Sequence, residues 1–165
     1  MSPLISETNT SFKWFILATA TFVTMLYAMN VTIASIALSD MRGAMGATQD
    51  QISWVVTGNI VATAIFTPFA GWLSSRIQIR TILFFSVIGF IISSIFCGMS
   101  DSLEEIVIAR VAQGIFGAPL PPLSQTLVLA VFPKRQISVA MAVWGMGTIL
   151  GLSLIHISEP TRRTQ

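Results

Sequence analysis

A single arginine lies deep in a long apolar stretch of this chain. The stretch covers residues 103–135, and Arg110 is the one charged residue between its acidic start and its basic end. Placing a charge inside a membrane costs about 3 kcal/mol on insertion scales, so such a residue is rare and indicates function. Three residues that follow at helical spacing offer an amide and two positions without a side chain: Gln113, Gly114 and Gly117.

The chemistry of arginine allows two roles for Arg110. A guanidinium stays protonated at physiological pH, so Arg110 cannot shuttle a proton itself. It can favour the ionised form of a nearby acid, or hold a polar network. Gln113, one turn later, is the best local hydrogen-bond partner. The alternative role is that of a helix-packing residue bonded to backbone carbonyls.

The composition of the chain is that of a membrane protein. Of its 165 residues, 53% are hydrophobic and 10% are charged, whereas a soluble domain carries about 25% charged residues. The sequence therefore predicts an integral membrane protein whose partner is the lipid bilayer. The net charge of +2 is too small to favour a nucleic acid as a partner.

Five apolar segments predict an all-α fold, a polytopic membrane helical bundle. A helix of about 20 residues crosses the hydrocarbon core. The segments cover residues 14–38, 51–75, 81–99, 103–131 and 137–151, and the last is short of a full crossing. Residues 1–13 are predicted to be a cytoplasmic tail and residues 39–50 a loop. Thr48 and Gln51 have the spacing of a capping box at the start of the second helix.

Prolines lie inside two of these predicted spans. Pro68 is in the second span, where a membrane helix tolerates it if neighbours satisfy the freed carbonyl. A cluster in the fourth span is predicted to bend or loosen its second half, and it consists of Pro119, Pro121 and Pro122.

The basic residues indicate which side of the membrane each loop faces. If the amino terminus is cytoplasmic, the loops on the outer side of the membrane contain one basic residue, Arg42. Five basic residues then lie on the inside: Lys13, Arg76, Arg80, Lys134 and Arg135. This is the bias of the positive-inside rule, so we predict that the amino terminus is cytoplasmic.

The last residues differ in character from the rest of the chain. Leu152–Arg162 resembles the translated read-through of a transposase sequencing adapter. We therefore interpret residues 152–165 as a non-native, adapter-derived tail and exclude them from fold reasoning. His156, the single histidine of the chain, falls in this tail.

Motifs in the second loop and the fourth span follow one family pattern. In the loop, a Gly-x-Leu-x-Asp-Arg-x-Gly-Arg-Arg/Lys pattern is matched by Gly71, Leu73, Arg76 and Arg80. Ser75 replaces the Asp of that pattern and Gln78 replaces its second Gly. In the fourth span, an Arg-x-x-Gln-Gly-x-x-Gly pattern is matched in full by Arg110, Gln113, Gly114 and Gly117.

The first and fifth spans extend the pattern. Asn30 and Thr32 stand where the family shows Asp-x-Thr, and Asn30 cannot titrate. A glycine-rich signature begins in the fifth span at Gly145, Gly147 and Gly151. Over residues 15–151 the chain resembles the amino-terminal part of a major facilitator superfamily transporter, within it the fourteen-span drug:proton antiporters of the EmrB/QacA type.

This resemblance implies both a fold and a function. The fold would be part of the N-terminal six-helix bundle of a major facilitator protein in the bacterial inner membrane. The function would be proton-coupled export of small amphipathic compounds by alternating access, in a full-length parent that binds substrate and protons. The resemblance also leaves open a periplasmic adaptor protein as a partner.

The resemblance further implies roles for individual residues. Proton coupling or the cavity would involve Arg110, Gln113, Asn30 and Thr32. A conformational latch loop would contain Gly71, Arg76 and Arg80, although the two arginines could instead serve only to set topology. Helix packing would use five glycines: Gly114, Gly117, Gly145, Gly147 and Gly151.

Two other classes of function have less support in the sequence than transport. A non-transporting membrane assembly or small channel protein is the alternative, and only the length of the chain favours it. An enzyme is not expected, because the sequence contains no nucleophile–base set and no phosphate-binding loop. No cofactor and no metal site are predicted.

Overall fold

The structure is a computed structural model. It describes the backbone of residues 10–45 and 48–158, and the side chains of residues 10–33, 48, 50–150 and 153. All regular elements in these residues are helices: α1 (Thr10–Met45), α2 (Gln49–Ser74), α3 (Ile79–Met99), α4 (Leu103–Gly117), α5 (Leu120–Val131) and α6 (Ile137–Ser158). Four described segments are long and apolar enough to cross a membrane: Thr10–Ile33, Asp50–Ser74, Ile79–Met99 and Leu103–Val131. The predicted all-α membrane fold is confirmed.

The proline cluster interrupts the fourth span, as predicted. Helix α4 ends at Gly117 and α5 begins at Leu120, because Pro119 has no N–H with which to continue the helical ladder. The two prolines that follow Leu120 lie in the first turn of α5, where backbone N–H groups have no intrahelical partner. By contrast, α2 continues through Pro68.

The first loop is shorter than predicted. Helix α1 continues to Met45, so the prediction of a loop over residues 39–50 is wrong for residues 39–45. That segment contains no proline and carries Ala, Met and Arg, which favour a helix. The predicted capping box then starts α2. Thr48 N donates to Gln51 Oε1 at 3.0 Å, and Gln51 N donates to Thr48 Oγ1 at 3.4 Å.

The chain divides into two compact units, and the first contains residues 1–29 and 124–165. Its helices share one apolar cluster: Leu17, Ala20, Val128, Val131, Phe132 and Ala140. Trp14 packs edge-to-face on Phe132, with ring centroids 5.7 Å apart. A Cβ atom on Gly147 would collide with the side chain of Thr21, so α6 lies directly against α1 there.

The second unit contains residues 30–123, and α4 is its central helix. Helix α4 packs against both α2 and α3. A Cβ atom on the buried Gly114 would lie 2.5 Å from the backbone oxygen of Asn59 and 2.9 Å from the Cβ atom of Ala62. The small residue therefore allows the backbones of α2 and α4 to approach closely. On the α3 side, Gly89 lies directly against the ring of Phe116.

The outer surface of the second unit is apolar. Ile65 is 65% exposed, Phe84 is 64% exposed and Ile108 is 68% exposed. Soluble proteins rarely expose contiguous apolar surface of this kind, and such side chains are suited to contact lipid. Near one end of the unit, Cys97 packs against a small buried cluster of Ile52, Val55 and Ile106.

Replacing Gly114 with Ala should destabilise the second unit. The new methyl group would meet backbone atoms that cannot rotate away, and overpacking of this kind costs about 1–3 kcal/mol. The measurement is thermal unfolding in detergent, followed by the reaction of the Cys97 thiol with a fluorogenic maleimide. Gly71→Ala is the matched control, because a Cβ atom there meets nothing within 4 Å. Equal melting of the two variants would contradict the close helix approach.

Candidate functional site

The start of α4 determines how deep Arg110 lies. Ser102 Oγ accepts a hydrogen bond from Glu105 N at 3.3 Å, and Glu104 and Glu105 occupy the first turn. A capping hydroxyl and acidic side chains both stabilise the amino end of a helix. Arg110 follows seven residues after the first residue of α4, which is about 10 Å along the helix axis.

The side chains of Arg110 and Gln113 join α4 to two other helices. Its Nη1 atom donates to Asn30 Oδ1 in α1 at 2.9 Å and to Gln113 Oε1 at 2.7 Å. Gln113 is 1% exposed, and its Nε2 atom donates to Ser94 Oγ in α3 at 2.6 Å. We refer to Arg110, Asn30, Gln113 and Ser94 as the Arg110 network.

Helix α2 holds the backbone of the same segment. Asn59 Nδ2 donates to the carbonyl oxygen of Arg110 at 3.0 Å, and Thr63 Oγ1 donates to that of Gly114 at 3.3 Å. Asn59 is itself buried. These bonds depend on the close approach at Gly114, because a bulkier residue would separate α2 from α4. The position of Arg110 is therefore fixed from both its side chain and its backbone.

The guanidinium of Arg110 donates its hydrogen bonds to neutral groups. Both oxygens that accept from Nη1 belong to amides, and the Nε atom is buried without a hydrogen-bond partner among the described residues. An unsatisfied buried donor costs about 1–3 kcal/mol. Beside it is a cavity of about 10 Å³, lined by Val31, Val55, Val56, Asn59 and Arg110. A space of that size holds about one water molecule.

The chemistry open to the Arg110 network follows from these groups. The amides of Asn30 and Gln113 and the hydroxyl of Ser94 cannot take up or release a proton near neutral pH. The network can hold a positive charge within the apolar span, and the buried Nε–H of Arg110 has no acceptor among the described residues. It can influence an ionisable group electrostatically but cannot itself relay a proton.

The other predicted site residues lie in different surroundings. Thr32 is half-buried in α1, two residues or about 200° of helix rotation from Asn30. Gly71 lies in the last turn of α2 and Arg80 in the first turn of α3, whereas Arg76 lies between the two helices, and both arginines are exposed. Gly117 is buried at the end of α4.

The predicted packing role differs among the glycines of α6. A Cβ atom on Gly145 would meet nothing within 4 Å among the described residues, whereas one on Gly147 would collide with Thr21. Gly151 lies in α6, but its surroundings are outside the described residues, as are those of His156.

Three residues of this region carry no prediction from the sequence: Ser94, Asn59 and Thr63. A signal was available for Asn59, because an amide inside an apolar span has to find a hydrogen-bond partner when it is buried. Ser94 and Thr63 carried no such signal, since hydroxyls in helices commonly bond to the carbonyl four residues earlier. Thr67 does this, donating to the oxygen of Thr63 at 2.7 Å.

The regular elements of the described residues are helices, four described segments are long and apolar enough to span a membrane, and Arg110 is held by amides within one of them. These are the features of an integral membrane protein. The Major Facilitator Superfamily family model matches residues 20–156. The chain therefore belongs to the major facilitator superfamily.

Individual relatives agree with this family. The chain is 40% identical to the Multidrug export protein EmrB of Escherichia coli (strain K12) over 127 residues, which are 77% of this chain and 25% of that protein. It is 34% identical to the Probable multidrug resistance protein EmrY of the same strain over 137 residues, which are 83% of this chain and 27% of that protein. It is 35% identical to the Fatty acid resistance protein FarB of Neisseria gonorrhoeae over 122 residues, which are 74% of this chain and 24% of that protein. The chain thus spans about a quarter of the length of these relatives.

Replacing Gln113 with Leu should lower the stability of the second unit. The change removes an acceptor from the guanidinium of Arg110 and the donor to Ser94, and a hydrogen bond to a charged group contributes about 1.5–3 kcal/mol. The measurement is again thermal unfolding followed by Cys97 labelling. Gln136→Leu, at an exposed position, is the control for the same chemical change. If both variants melt alike, the Arg110 network does not stabilise the unit.

Proposed function

We propose that this chain is part of a multidrug exporter that moves small amphipathic compounds across the membrane by alternating access. The observation that carries the proposal is the Arg110 network, within a chain that belongs to the major facilitator superfamily. Relatives named for multidrug export favour transport over a non-transporting assembly or channel. Because the chain spans about a quarter of those relatives, the complete activity is proposed for a full-length parent.

The Arg110 network would act in the exchange between two conformations. In secondary transporters, substrate binds near the middle of the membrane between helix bundles that move around it. Arg110 joins α1, α3 and α4 through Asn30, Gln113 and Ser94. A motion between these helices would break or rearrange those hydrogen bonds. The network would therefore favour one arrangement, and a ligand that competes for Arg110 would shift the balance.

Coupling to protons would require an acid outside this network. Asn30 occupies the place where the family shows an Asp, and its Oδ1 atom accepts a hydrogen bond from Arg110 without titrating. Arg110 would then act on the acid electrostatically, by favouring its ionised form. The unpaired Nε atom of Arg110 is the donor that such an acid, or a water bonded to it, would engage.

The proposal also covers the junction of α2 and α3 and the last residues of the chain. The junction of α2 and α3, with Gly71, Arg76 and Arg80, would serve as a conformational latch that lacks an aspartate, since Ser75 stands in its place. Residues 152–165 would be an adapter-derived tail that plays no part in transport.

The proposed location is the bacterial inner membrane, with the amino terminus in the cytoplasm. The support is the excess of basic residues in the segments assigned to the inside. A periplasmic adaptor protein would complete the export route across the cell envelope. The relatives named above are transporters or resistance proteins rather than enzymes, and no enzymatic reaction is proposed.

In the full-length parent, Arg110→Ala should abolish proton-coupled efflux while the protein still reaches the membrane. Arg110→Lys should restore coupling poorly, because an ammonium group has neither the planar shape of a guanidinium nor a counterpart of the buried Nε–H donor. The measurement is drug-driven proton release in vesicles that contain matched amounts of each protein.

Ile108→Ala is the control for Arg110→Ala, because it truncates an exposed residue on the same helix and should leave coupling unchanged. Near-normal coupling in Arg110→Ala would identify Arg110 as a packing residue only.

Orientation can be tested with single cysteines in a Cys97→Ser background. A cysteine at Ser102 should react in intact cells with a thiol reagent that does not cross membranes, because the loop between α3 and α4 would face outward. A cysteine at Gln78 should react only after the cells are opened. Labelling of the Gln78 position in intact cells would reverse the proposed topology.

A further inference from the structure

A second apolar cavity opens near the junction of α2 and α3. It has a volume of about 300 Å³ and lies among α2, α3 and α4, with Phe69, Leu73, Ile77, Phe85 and Phe116 in its wall. Aromatic and aliphatic side chains dominate this wall, and Thr81 and Ser86 are its hydroxyl groups. A cavity with such a surface suits a hydrocarbon chain.

Two arginines are adjacent in sequence to residues of this cavity wall. Arg76 precedes the lining residue Ile77, and Arg80 precedes the lining residue Thr81. The guanidinium carbon of Arg76 lies 5.2 Å from the centre of the Trp72 ring, a cation–π arrangement that orients an otherwise mobile side chain. Trp72 in turn stacks on Phe69, with centroids 5.4 Å apart. The ring of Trp72 therefore connects the exposed guanidinium of Arg76 to Phe69 in the cavity wall.

The backbone at the same place also favours an anion. Helix α3 begins at Ile79, and its N-cap residue, Gln78, makes no side-chain capping hydrogen bond. The first turn of a helix presents free N–H groups and the positive end of the helix dipole, which attract phosphate groups. Arg80 lies in that turn, where the N–H of Thr81 already donates to the carbonyl oxygen of Gln78 at 3.0 Å. The charge of Arg80 therefore adds to the positive end of the helix dipole.

No acid among the described side chains neutralises this surface. The described carboxylates lie at the opposite ends of these helices: Asp50 at the start of α2, Asp101 after the end of α3, and Glu104 and Glu105 at the start of α4. Helix α2 has 26 residues, so its two ends are separated by about 39 Å. The surface around Arg76 and Arg80 therefore keeps an uncompensated positive charge.

We propose that this cavity is a binding site for an anionic phospholipid. One acyl chain occupies the apolar cavity beside Phe69 and Phe85, and the phosphate lies against Arg76, Arg80 and the first turn of α3. Trp72, whose ring lies against Arg76, is half-exposed, and tryptophan rings favour the boundary between lipid and water. Basic pockets between membrane helices bind anionic headgroups by this combination of charge and apolar contact.

The affinity of the purified chain for lipid tests the proposal. The delipidated chain in detergent is titrated with phosphatidylglycerol or with phosphatidylcholine of the same acyl chains, and bound lipid is counted by native mass spectrometry. Each arginine near the surface contributes roughly a fivefold preference for the anionic lipid. The chain should therefore prefer phosphatidylglycerol by roughly tenfold or more, and equal binding of the two lipids would overturn the proposal.

Variants separate this site from general attraction to positive charge. Arg76→Gln with Arg80→Gln should abolish the preference. Lys134→Gln with Arg135→Gln, which removes the same charge from exposed positions in another loop, should leave it unchanged. If the second pair reduces the preference as much as the first, the attraction is not localised and the proposal is wrong.

The acyl cavity has its own test. Thr81→Phe places a ring in the cavity and keeps both arginines, so it should weaken phosphatidylglycerol binding severalfold. Glycerol 3-phosphate carries the charge without an acyl chain and should not displace the lipid at equal concentration. Unchanged binding in Thr81→Phe, or displacement by glycerol 3-phosphate, would reduce the site to a phosphate contact and overturn the proposal. Thermal unfolding followed at Cys97 verifies that each variant is folded.

Discussion

The charge of Arg110 has to be stabilised inside an apolar helix, and the second unit is arranged around that requirement. No described carboxylate lies near it, so two amide oxygens, from Asn30 and Gln113, accept its hydrogen bonds. Neutral acceptors stabilise the ion less than a carboxylate would, but they leave its charge uncompensated. That charge remains able to act on an acid or a substrate, which a tight ion pair would prevent.

Close packing around α4 makes this arrangement possible. Gly114 lets α2 approach until Asn59 and Thr63 reach the backbone oxygens of α4. The same helix is held from the other side, where Gln113 donates to Ser94. Stability and the proposed role of Arg110 are therefore linked, because a change that separates the helices also removes the partners of the guanidinium. The apolar exterior contributes little specificity to this packing, since lipid and side chains are equally apolar there.

The two polar regions of the second unit differ in their environment. The Arg110 network is within the span, where a hydrogen bond is stronger than in water and an unpaired donor is costly. The arginines between α2 and α3 are exposed, and Arg76 is oriented by the ring of Trp72 instead of by a carboxylate. An exposed cation of this kind is free to bind anions from outside the chain. The departure of Ser75 from the family pattern thus removes the nearest acidic competitor for them.

The sequence by itself determined the helical spans, because the length of an apolar run and the charges at its ends depend only on local residues. It also placed Arg110, Gln113 and Gly114 on one helix face, and it predicted the capping box at Thr48. Only the tertiary structure brought Asn30, Ser94 and Asn59 to the arginine and distinguished the crowded Gly114 from the open Gly145. The physical reason is that spacing along one helix reveals which residues share a face, whereas a hydrogen bond or a steric contact between helices depends on their relative position and rotation.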